Sequence, residues 1–107
     1  MRIFEKRTYS VMTGHMPEVT RLYQQYGWPA INEEGFGKHI LGYFISDTGP
    51  LHQLIHILDF ESDDQRREFW KNLYASERFM SFAKEVRPHI KEQNVQLLTA
   101  APWGPEI

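Results

Sequence analysis

The chain opens on a period of two. Between Ile3 and Met12, residues Ile3, Glu5, Arg7, Tyr9 and Val11 fall on one side and Phe4, Lys6, Thr8, Ser10 and Met12 on the other. Successive strand side chains point to opposite faces, and the run is rich in β-branched and aromatic types, so it predicts a first strand. The period then lengthens. After Thr13-Gly14-His15, Pro17 suits a first helical position, and Val19, Leu22, Tyr23 and Tyr26 recur at the i, i+3, i+4, i+7 spacing of one helical face. Gly27 and Pro29 are expected to end that helix, because glycine favours the left-handed cap and proline has no N–H to continue the ladder.

Past an irregular stretch through Asn32, Glu33, Glu34 and Gly35, the run His39 to Ser46 alternates as a second strand, Asp47-Thr48-Gly49-Pro50 turns, and Leu51 to Phe60 forms a third. A connection of this length fits an antiparallel hairpin. Ser62-Asp63-Asp64-Gln65 has the capping-box form and opens a second helix with Phe69, Trp70, Leu73 and Tyr74 on its apolar stripe. Ser76 is placed to cap a third, whose stripe is Phe79, Phe82, Ala83 and Val86 and which stops before Pro88. Asn94 to Thr99 is read as the last strand, and the tail Ala101-Pro102-Trp103-Gly104-Pro105 as extended and docked on the domain.

The order strand, helix, strand, strand, helices, strand is a ferredoxin-like split βαβ: an α+β domain whose four-stranded antiparallel sheet carries its helices on one face. The other face keeps apolar side chains that need a cover. A second copy of the same sheet, in a closed twofold homodimer, supplies one.

Composition narrows the partners. With 107 residues, 41% of them apolar and 14% aromatic, the chain has material for one core and one domain over residues 1–107. No cysteine is present, which removes disulfides, thiolate metal sites and cysteine nucleophiles, and points to a reducing, cytoplasmic setting. The first seven positions hold one acid and three bases with no apolar signal-length stretch behind them, and no membrane-spanning run occurs. A net charge of −2 lacks the positive field that neutralises phosphates, so a small molecule or a protein is expected as partner rather than nucleic acid.

Several segments, taken in order, resemble the NIPSNAP family. They are Arg7-Thr8-Tyr9, Gly14 at the strand exit, Leu41-Gly42-Tyr43-Phe44 leading into Thr48-Gly49-Pro50-Leu51, Ile55-His56-Ile57, Phe60-Glu61-Ser62, Arg66-Arg67 and Val86-Arg87-Pro88. The resemblance spans nearly the whole chain. It implies a dimeric α+β barrel, a fold in which related families bind small hydrophobic or aromatic compounds between sheet and helices, some of them as cofactor-free oxygenases. It also implies an association with membranes and trafficking, reported for the wider family. One departure stands out: where the family's strand reads His-x-Trp-x-Tyr, this chain has His56-Ile57-Leu58-Asp59-Phe60. An indole N–H and a phenol are thereby lost.

Candidate chemistry gathers at few positions. His52-Gln53-Leu54-Ile55-His56 is one residue from the zinc-protease form, but Gln cannot serve as the general base. Strand residues four apart are also separated by about 13 Å, too far to share an ion, so no metal is assigned. His56, mid-strand among apolar neighbours, reads either as a satisfied core histidine or as a proton-transfer group. Arg7 and Tyr9 share a face with Glu5 and read either as a structural charge pair with an aromatic neighbour or as a guanidinium and phenol offered to a ligand. Arg66 and Trp70, four apart on one helical face, form either an arginine lying over an indole or a grip on a ligand anion. Gly35-Phe36-Gly37-Lys38 lacks the full phosphate-loop pattern, and Asp59, Glu61, Asp63 and Asp64 coincide with a helix start that favours acids.

These readings converge on a homodimer binding a small hydrophobic or aromatic molecule through Arg7, Tyr9, Tyr43, His56, Arg66 and Trp70, without cofactor or metal. Two alternatives stay open. One is a cofactor-independent oxygenase or isomerase in which His56 or Tyr9 moves a proton and Arg7 steadies negative charge. The other is an adaptor presenting Phe69, Trp70, Phe79 and Phe82 as an exposed aromatic patch.

Overall fold

The computed structural model describes residues 1–107. Four strands, β1 (Ile3–Val11), β2 (Ile40–Ile45), β3 (Gln53–Phe60) and β4 (Ile90–Leu98), form one antiparallel sheet in the order β2-β3-β1-β4. Four helices, α1 (Met16–Leu22), α2 (Trp28–Glu33), α3 (Asp63–Ala75) and α4 (Glu77–Val86), make up the two crossovers. This is the expected split βαβ arrangement. The shortest principal extent is 19 Å, the depth of one sheet and one helix layer.

Cross-strand pairing fixes what the helix-facing side presents. Tyr43, His56, Arg7 and Val95 lie in one row across β2, β3, β1 and β4, and Ile45, Leu54, Tyr9 and Gln93 lie in the next. A third row holds Ile40, Leu58, Glu5 and Leu97. The buried members pack against α1–α4 in two groups: Val11, Val19, Leu22, Leu54, Phe82 and Val86, and Ile31, Leu58, Phe60, Phe69 and Leu73. The opposite face shows rows Phe44-Ile55-Thr8-Asn94 and Gly42-Ile57-Lys6-Gln96, with Phe44 55% exposed.

Both serine caps form. Ser62 Oγ accepts from the Gln65 amide at 3.1 Å and Ser76 Oγ from the Phe79 amide at 3.1 Å. Each satisfies a donor that the first helical turn leaves without a carbonyl. Gln65 reaches back to the amide of Glu61 at 2.8 Å, one residue before the cap.

Three boundaries differ from the sequence reading. Gly27 and Pro29 do not stop the first helix: a π-helical turn, Tyr23–Gly27, joins α1 to α2, with the Trp28 amide bonding the Tyr23 carbonyl. The wider turn precedes Pro29, where a regular helix would meet a missing donor and a ring clash. Gly27 serves close packing instead, since a Cβ there would lie 2.6 Å from the Phe82 ring. β4 begins at Ile90, not Asn94. After Ile90, residues Lys91, Glu92 and Gln93 are exposed and polar, so the first half of this edge strand shows no apolar alternation to read. The tail is not docked: Trp103 is 78% exposed, and the Ile107 carbonyl, which accepts from Arg2, is the tail's side-chain tie to the body.

Candidate functional site

β1 and β3 are central strands and bring His56 and Arg7 side by side, His56 only 6% exposed and Arg7 mostly covered. Three tyrosines surround the imidazole. The Tyr9 and Tyr43 rings lie 4.6 and 4.7 Å from it in edge-on geometry, and Tyr23, from the π-helical turn, lies 5.8 Å away with its hydroxyl 3.5 Å from His56 Nε2.

Burial sets the protonation of this group. Desolvation, with Arg7 adding repulsion, pushes His56 down to about 3, so the ring is neutral at physiological pH. The Tyr23, Tyr43 and Tyr9 phenols are all raised by burial, in Tyr9 against the opposing pull of Arg7. Burial draws Arg7 downward, but Tyr9 and Glu5 more than offset it and hold the guanidinium above its usual value. The arrangement therefore presents neutral hydrogen-bonding rings beside one fixed cation.

Glu5 anchors that cation. Its carboxylate is fully buried and accepts from Arg7 Nη1 at 2.9 Å, Arg66 Nε at 2.7 Å and Trp70 Nε1 at 3.1 Å. Arg7 also donates from Nε to the Tyr9 hydroxyl at 3.0 Å, and its Cζ sits 4.2 Å over the Trp70 ring. The carboxylate held by Arg66 and Trp70 in this structure is the protein's own Glu5. Both residues hold the sheet to α3.

Between the two core groups lies a cavity of about 70 Å³. Arg7, Tyr9, Tyr43, His56 and Trp70 line it as the sequence candidates, while Arg66 does not reach it. Sequence reading missed Tyr23 and Phe82 as lining residues, since both sit on helical stripes that look like ordinary core. Of the patch posited for an adaptor, Phe69 and Phe82 are buried and Trp70 and Phe79 half-buried, so none presents an open aromatic surface. His52 lies outside β3 with φ 61°, apart from the buried His56. No helix is long and apolar enough to cross a membrane.

Comparison with known proteins shows what the chain as a whole is similar to. The chain is 25% identical over 105 residues to a NipSnap homolog of Dictyostelium discoideum, covering 97% of this chain and 40% of that protein, so it spans less than half of that relative. A crystal structure of a NIPSNAP family protein from Agrobacterium tumefaciens is 28% identical, with a TM-score of 0.86 over 96% of this chain and 89% of that one. An antibiotic biosynthesis monooxygenase shares the fold at 15% identity, with a TM-score of 0.65 over 94% of this chain and 99% of that one. The NIPSNAP family model matches residues 4–105, and the chain belongs to the NIPSNAP family.

Proposed function

We propose that this protein binds a small hydrophobic or aromatic molecule in the cavity between sheet and helices, and does so as a homodimer. The observation that carries the binding reading is the convergence on one cavity of neutral His56, four phenols and Arg7, within walls that are otherwise mainly apolar. Ligand sites combine apolar walls with a few placed polar groups in this way. At about 70 Å³ the space is well below the roughly 300–1,000 Å³ of drug-sized sites, so the ligand is small, a single ring or a short branched chain.

Binding is favoured over turnover by the state of His56. A base whose conjugate acid titrates at about 3 is a poor proton acceptor near neutrality, where efficient general bases titrate close to the operating pH. The dimer reading rests on the open sheet face, where Phe44, Ile55 and Ile57 have no helix over them. Pairing two such faces about a twofold axis buries them without another domain.

Two measurements test these claims separately. In NMR titrations with a set of single-ring and short-chain fragments, binders are expected to shift the His56 and Tyr43 resonances while leaving Ile55 and Ile57 unmoved; a screen without such binders contradicts the cavity reading. Sedimentation at micromolar concentration is expected to show a dimer, and Phe44→Glu, which puts one carboxylate from each protomer on the mated faces, is expected to give a folded monomer. A monomeric wild type contradicts the dimer.

A further inference from the structure

The cavity's charge is opposite in sign to that of the chain. Acids outnumber Lys and Arg by 14 to 12 overall, yet the lining contains Arg7 and Arg87 and no Asp or Glu. Glu5 does not cancel this field. Its single carboxylate is divided between Arg7 on Oε2 and Arg66 on Oε1, and it stands behind Arg7 rather than on the cavity wall. The next acid outward, Asp63, is shared in turn between Arg66 at 3.3 Å and Arg67 at 2.7 Å. Across these ion pairs three guanidinium groups share two carboxylates, the outermost, Arg67, lying in solvent, and Arg7 is the member that faces the cavity.

Arg7 also retains donor capacity. Nε is committed to the Tyr9 hydroxyl and Nη1 to Glu5, while Nη2 has no acceptor within the chain. Trp70 stacked on the guanidinium and the bond to Glu5 hold that edge in place, so a ligand oxygen meets a fork that is already oriented. Arg87, exposed just beyond the end of α4, adds a second positive charge to the lining.

We infer that the ligand of this cavity is a small organic monoanion, a carboxylate or enolate on a compact apolar body, with its oxygens on Arg7 and its body against the tyrosine and phenylalanine walls. This rests on the cavity being a binding site and adds the charge of what it takes. A neutral amide of the same shape offers Nη2 only an uncharged acceptor, whereas an anion gains a charge-assisted bond there, roughly twice as strong. His56, neutral and on the same cavity wall, adds no second charge beside the guanidinium.

Calorimetric titration with shape-matched pairs, isobutyrate against isobutyramide and benzoate against benzamide, separates charge from shape. In low salt the acid of at least one pair is expected to bind about tenfold or more tightly than its amide, with the His56 ring resonances shifting in step and the ratio shrinking as salt is added. Arg87→Gln, at an exposed position, is expected to keep the wild-type melting temperature while lowering the acid-to-amide ratio. Equal affinity of acid and amide, or a tighter amide, overturns the anion inference and leaves the cavity reading standing. Binding of neither member of either pair overturns both.

Discussion

Replacing Glu5 with Ala is expected to destabilise the fold by about 3–5 kcal/mol, the cost of removing one partner from a buried ionic cluster. Glu5 is fully buried, and its loss strands Arg7 and Arg66 in partly covered positions and leaves the Trp70 N–H without its acceptor. Most of the effect comes from these uncompensated donors rather than from the carboxylate's own attraction. Denaturant titration should show a lower midpoint with an unchanged slope. Glu18→Ala is the control: its ion pair with Arg21 is on the surface, where such pairs contribute little, so the midpoint should scarcely move. If Glu5→Ala behaves like that control, the cluster does not hold the sheet to α3.

A second large effect is a loss of stability in acid that belongs to His56. Its folded-state pKa of about 3 lies below the ordinary 6.5, so the unfolded chain takes up this proton first as pH falls. Stability from this group is complete above about 6.5 and declines toward 3, at about 1.4 kcal/mol per pH unit, or roughly 4–5 kcal/mol across the window. Other groups titrate in the same range, so the informative quantity is the difference between wild type and His56→Leu. The variant should lose about one proton's worth of slope between pH 6 and 4 while remaining folded at neutral pH. Identical slopes would mean that His56 is protonated in the native state, and the neutral-ring description of the site would fail.

How much of this was legible in the sequence depends on range. The period-two pattern put Glu5, Arg7, Tyr9 and Val11 on one face of β1, and all four turn toward the helices. Ser62 and Ser76 were recognisable as caps because a cap is a contact three residues long. The partners of those faces were not recognisable. Nothing local tells His56 that its neighbours are Arg7 on β1 and Tyr43 on β2; register across a sheet is set by the whole pattern of burial and by the turns. Arg66 and Trp70 were correctly placed on one helical face, but their acceptor lies 61 and 65 residues away, beyond the reach of any local pattern. Gly27 and Pro29 misled for a different reason. Both are ordinary stop signals, and here tertiary packing against Phe82 and a π-helical turn outweigh them.

The departure of this chain from the family's His-x-Trp-x-Tyr strand can now be given a physical meaning. Leu58 and Phe60, at the positions of the indole and the phenol, are almost fully buried and enter the apolar core beside Phe69 and Leu73. Their polar handles are absent where the core is driest. The hydrogen-bonding groups concentrate instead around His56, from β1, β2 and the π-helical turn.

The space beside His56 and Arg7 is the proposed ligand site. Its most direct test is a crystal structure of the protein soaked with the tightest-binding compound of the fragment and acid–amide titrations. Density for that compound is expected between sheet and helices, with an oxygen within hydrogen-bond distance of Arg7 Nη2 and its body against Tyr43 and Phe82. A compound lodged elsewhere, with the cavity closed over His56, would contradict it.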